Sequence, residues 1–129
     1  MIKGTIRQGE VLLIPVARVD GELRDVKREN GRFILGHSEN GHHHVIKEPW
    51  VTMREPASKC SFYLDGGQEL DLDLTGLGVA VCDVNEPANL IHESVGGHLP
   101  HAVDPGVYLV LRQRERSFAD IAAYRPVAD

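Results

Sequence analysis

The stretch RFILGHSENGHHHVIK, residues 32–47, decides how the rest of the chain is read. Asn40-Gly41 stands between its two arms, and Asn-Gly is the strongest short signal for a type I′ hairpin, because both central residues need φ > 0. The expectation is a β-hairpin. A two-residue turn there pairs Glu39 with His42 and His37 with His44, since each step from the turn matches one residue on either arm. Alternation then sets His37, Glu39, His42 and His44 on one face with Leu35 and Ile46, and turns Ser38 and His43 to the other.

Outward from the hairpin the same grammar of short apolar runs and turn residues continues. Upstream, Glu10 to Val16 is too short and unbroken for a helix and reads as a strand with Pro15 near its end or on an edge. Asp20-Gly21 and Asn30-Gly31 are turn dipeptides bracketing Glu22 to Glu29, which fits a short strand pair or a helical turn. Downstream, Ser61 to Leu64 and Glu69 to Leu74 flank Asp65-Gly66-Gly67, and Leu70, Leu72 and Leu74 alternate with acidic residues at the period of a half-buried strand. Gly78 to Val84, Asn89 to Glu93 and Val107 to Gln113 are three further strands, parted by Asn85-Glu86-Pro87 and by Asp104-Pro105-Gly106. Ser117 with Asp120 has the form of a capping box, so a short C-terminal helix is expected to pack Phe118, Ile121, Ala122 and Tyr124. The expected fold is all-β: a single domain over residues 1–129, a small barrel or sandwich closed by that helix.

Composition narrows the classes of function. A chain of 129 residues, 42% hydrophobic and 26% charged, is of ordinary size and make-up for one domain with its own core. Its net charge of -5 argues against a general nucleic-acid binder, which needs clustered Lys and Arg. The apolar run near the N-terminus is too short and too interrupted by charge for a signal peptide, and no stretch approaches a membrane span. The expected location is the cytoplasm, where Cys60 and Cys82 are expected as buried free thiols.

Four of the seven histidines, His37, His42, His43 and His44, fall within eight residues. Opposed residues on paired strands have Cβ atoms about 4.5 to 5.5 Å apart, so imidazoles on one face can converge on one ion. The candidate ligands are His37, His42 and His44 with a carboxylate from Glu39 or from Glu48, which shares the face of His42 and His44; His43 points away. His92 ends the apolar strand Leu90-Ile91 and is the candidate to complete the shell from a neighbouring strand, whereas His98 and His101 fit a solvated loop. Such a set suits a divalent transition metal: Zn, Fe, Mn, Ni or Cu. The competing reading is a polar surface loop, for which the same residues would be splayed and exposed.

Gly36, His42, His44 and Glu48 resemble, in kind and spacing, the first metal-binding motif of the cupins. The resemblance implies a metal held inside a double-stranded β-helix barrel by His42, His44 and Glu48. Two departures are plain. Glu55 stands about where that motif has a further glycine, and Leu109, Val110 and Leu111 follow Pro105-Gly106-Val107-Tyr108 where a second motif has its histidine, leaving His92 or His37 to replace it. A wider pattern, Arg7-Gln8-Gly9-Glu10-Val11-Leu12 at the start and Pro-Gly-Val-Tyr with Gln-Arg-Glu near the end, is similar to a set of small bacterial and phage-associated proteins, which brings no activity with it.

Serine-nucleophile, phosphate-loop and CxxC patterns are absent from the sequence. Arg112, Arg114 and Arg116 share one side of a strand and its extension, and a solvated face is the expected reading. The function expected is therefore metal binding by a small β protein, of which a metal-dependent enzyme acting on a small molecule is one form, with enzyme status left open. The alternative is a non-enzymatic binding or assembly module with an exposed His-rich hairpin. A homodimer is expected from the liability of open sheet edges.

Overall fold

The computed structural model describes residues 3–37, 42–70, 78–93 and 100–112. Among them run twelve strands: β1 (Ile6–Gln8), β2 (Val11–Val16), β3 (Arg18–Asp20), β4 (Leu23–Asp25), β5 (Phe33–Gly36), β6 (His44–Ile46), β7 (Val51–Pro56), β8 (Ser61–Tyr63), β9 (Gly78–Val84), β10 (Ala88–His92), β11 (His101–Val103) and β12 (Gly106–Arg112). They form a six-stranded sheet ordered β1-β2-β12-β9-β7-β4, a four-stranded sheet ordered β11-β10-β6-β5, and the pair β3-β8. All pairings are antiparallel.

The central strands β2, β12 and β9 of the six-stranded sheet are buried on both faces, which explains why they read as nearly unbroken apolar runs. Val11 and Leu13 of β2, Ala80 and Cys82 of β9, and Tyr108 and Val110 of β12 face one core. That core is completed by Phe33, Leu35, Ile46 and Leu90 from the four-stranded sheet. The alternate residues Leu12, Ile14, Val81, Leu109 and Leu111 face a second core, shared with Phe62, Leu64 and Leu70 around the small β3-β8 sheet. The result is sandwich-like and all-β, as expected. The barrel form of that expectation does not hold, because the described strands stay in separate sheets and close no barrel.

Glu22 to Glu29 takes up the extended alternative, with β4 pairing β7. Asn30 and Gly31 both have positive φ, 52° and 77°, and make a two-residue turn closed by backbone bonds between Glu29 and Arg32. Behind that turn Arg28 donates to four carbonyls, those of Gly31, Lys47, Glu48 and Val51, and its guanidinium lies 4.4 Å above the Phe33 ring. The crossing from β6 to β7 is thereby tied to the start of β5. The strand expected over Glu69 to Leu74 is seen at its beginning, where Glu69 bridges Tyr63 and the Leu70 N–H donates to Phe62. Leu72 and Leu74, the Asn40-Gly41 turn, His98, Arg114, Arg116 and the C-terminal helix lie outside the described residues.

Candidate functional site

His44 is the one buried polar or charged residue among the described ones, at 3% exposure, and the sequence around it explains how an imidazole fits there. It opens β6, and its neighbour on β5 is Gly36, which follows an irregularity between Ile34 and Gly36. The expected register set His37 opposite His44; this is corrected by one residue. Sterics give the reason. A Cβ at position 36 would stand 2.4 Å from Val11 Cγ2 and 3.3 Å from His44 Cδ2, so the residue facing His44 must be glycine. His37 is thereby carried out to an exposed position, where its ring meets that of His43 edge-on at 5.1 Å.

The other wall of the slot is Gly9. β1 and β2 are joined by a two-residue turn, Gly9-Glu10, between paired Gln8 and Val11. Gly9 takes φ +57°, as the first position of a type II′ turn requires. A Cβ on it would come within 2.8 Å of His44 Cε1 and 2.9 Å of Nε2. On the sheet's other side β10 places His92 directly across from His44, and the two rings stack at 4.4 Å with 14° between their planes. His42 meets His92 edge-on at 6.4 Å. The end of β10 is held by the Glu93 N–H, which donates to the His43 carbonyl, and by the Glu93 carboxylate, paired with Arg32 at 2.9 Å.

Hydrogen bonds decide the protonation of His44. Gln8 Nε2 donates to the Leu90 carbonyl at 3.1 Å, and Gln8 Oε1 lies 2.8 Å from His44 Nδ1. A carbonyl only accepts, so the amide nitrogen belongs at Leu90 and the amide oxygen faces the imidazole. An oxygen at that distance favours the proton on Nδ1. Burial, with smaller contributions from His92 and His43, pushes the imidazole pKa down from 6.5 to about 4, so the ring is neutral near pH 7. Nε2 lies 3.9 Å from Glu10 Oε1.

His44 lines a pocket of about 720 Å³. The Gln8-Gly9-Glu10 turn forms one side, His44 and His92 another, and Pro100, His101 and Ala102 at the start of β11 a third. His44 and His92 are thus brought together, with His42 beside His92. His37 is not. Glu48 is four residues beyond His44, about 13 Å along an extended chain, where its carboxylate accepts from Asn89. Glu39 lies outside the described residues. Among the described residues no three His, Cys, Asp or Glu side chains form a ready-made metal group. Sequence reasoning missed Gln8 and Glu10; the available signal was a Gly-X turn between two short apolar runs.

A family model described as a domain of unknown function, DUF8820, matches residues 7–113. No curated protein and no solved structure matches the chain.

Proposed function

The chain belongs to the DUF8820 family, and we propose that its pocket at His44 binds a divalent transition metal ion, with Nε2 of His44 as the anchoring ligand and His92, once its ring turns out of the stack on His44, as the second. The observation that carries this reading is the hydrogen-bonded Nδ1 of a buried, neutral imidazole. Metal-bound histidines almost always donate their other ring N–H to a fixed acceptor, which orients the ring and keeps the coordinating nitrogen basic. His44 has that arrangement through Gln8. Glu10, half exposed and 3.9 Å from Nε2, is the carboxylate that a small side-chain rotation would bring in, and His101 lines the same pocket. Imidazole with carboxylate suits Zn, Fe, Mn, Ni or Cu.

Such a shell leaves positions open to a small molecule entering the pocket. When bound, the ion would supply Lewis acidity. The chain's own part is to hold the His44 imidazole in its slot, keep it unprotonated and offer Glu10 as ligand or base. Burial of His44 in a concave pocket favours this reading over an exposed hairpin serving assembly.

The test is elemental analysis of untagged protein purified without chelator and after reconstitution with Zn, Fe, Mn and Ni. Near-stoichiometric metal is expected in wild type and in His37→Ala. It should be lost in His44→Ala, with affinity reduced roughly 10- to 100-fold or more in His92→Ala. Absence of metal from reconstituted wild type, or its full retention by a folded His44→Ala variant, overturns the reading.

A further inference from the structure

We propose that Gln8 is a positioning residue that selects the Nδ1–H tautomer of His44 and thereby leaves Nε2, the nitrogen on the Glu10 side, with the free lone pair. The consequence for metal rests on the reading above; the tautomer itself does not. Two acceptors compete for the single ring proton of a neutral His44. Gln8 Oε1 stands at 2.8 Å from Nδ1, a full hydrogen bond, whereas Glu10 Oε1 stands at 3.9 Å from Nε2, beyond hydrogen-bond reach. Distance decides for Gln8. If Gln8 were removed, the carboxylate of Glu10 would draw the proton to Nε2 and leave the lone pair on Nδ1, on the side away from Glu10.

The selection depends on a contact between distant parts of the chain. Gln8 ends β1, at the edge of the six-stranded sheet, while the Leu90 carbonyl that orients its amide belongs to β10 in the four-stranded sheet, 82 residues away. A glutamine free to flip its amide could present either a donor or an acceptor to the ring. With the amide nitrogen engaged by Leu90, only the acceptor remains. Gln8 therefore carries the relative placement of the two sheets into the chemistry of one nitrogen.

The experiment is long-range 1H–15N correlation on metal-free protein labelled in histidine, at pH 8, beside zinc titration of the same samples. Wild type should show a pyrrole-type Nδ1 and a pyridine-type Nε2 for His44. Gln8→Leu should move the proton to Nε2 and weaken zinc binding roughly 10- to 100-fold. Gln8→Glu, which still presents an acceptor to Nδ1, should keep the wild-type tautomer. An Nε2–H tautomer in wild type, or an unchanged tautomer in Gln8→Leu, overturns the proposal. So does equal affinity in wild type and Gln8→Leu when both bind zinc. If wild type takes no zinc while the tautomers behave as stated, the metal reading falls and the role of Gln8 stands.

Discussion

An imidazole held neutral inside the protein makes the fold itself sensitive to acid. His44 has its pKa lowered to about 4 in the folded chain, against 6.5 when exposed. Between those values the unfolded state binds more protons, so stability rises with pH there. The contribution is complete above about pH 6.5 and is lost as pH falls toward 4. For metal-free protein this group should account for roughly 2 to 3 kcal/mol between pH 7 and pH 4, seen in urea denaturation as a steeper loss in wild type than in His44→Gln. Parallel losses would mean the ring is not held neutral. At this scale the sequence exposed His44 and His92 as candidates, through clustering and through the apolar strand that His92 ends. It did not expose Gly9 and Gly36 as the slot walls, because the ring or side chain that forbids a Cβ comes from elsewhere in the chain. Gln8 was equally opaque, since its meaning lies in a carbonyl 82 residues on.

Both arms of the hairpin were legible from alternation and turn residues, and so were β2, β9, β10 and β12, whose apolar runs need no partner to be recognised. Register was not. A one-residue irregularity in β5 exchanges Gly36 for His37 opposite His44, and nothing in residues 32–47 alone announces it. The three-residue strands β1, β3 and β11 carry too little periodicity to be read, whereas β7 buries Val51 and Met53 and exposes Thr52 between them, a pattern that was available. The loop between β6 and β7 depends on one side chain. Arg28 serves four carbonyls through two guanidinium nitrogens, a planar geometry that a lysine cannot reproduce. Arg28→Lys should lower stability by about 2 kcal/mol, on the scale of charged hydrogen bonds, with circular dichroism unchanged. A urea midpoint equal to that of wild type would show that the carbonyls are as well served by water.

Three layers, with a central sheet covered on both sides, place Cys82 at 0% exposure, and burial with the nearby Asp83 pushes its thiol up to about 12. Cys60 is half-buried, with its thiol also raised by burial. Labelling with a thiol reagent at neutral pH should therefore modify at most Cys60 in native protein. Cys82 should react only when the sheet comes apart, and Cys60→Ser should bring native labelling close to nothing. Rapid reaction of that variant without denaturant would contradict the layered core. The architecture was legible from the sequence as many short strands, but the layering was not, since unbroken apolar runs also suit other buried strands. The sheet order has a consequence for the chain's birth. β12 lies between β2 and β9, yet it is the last described strand to be synthesised. Until Gly106–Arg112 emerges, a nascent chain holds two half-sheets with facing apolar edges and no strand to join them. Native assembly of this sheet must wait until β12 has been made, and a message broken upstream of Gly106 would yield sticky fragments in place of a smaller folded protein.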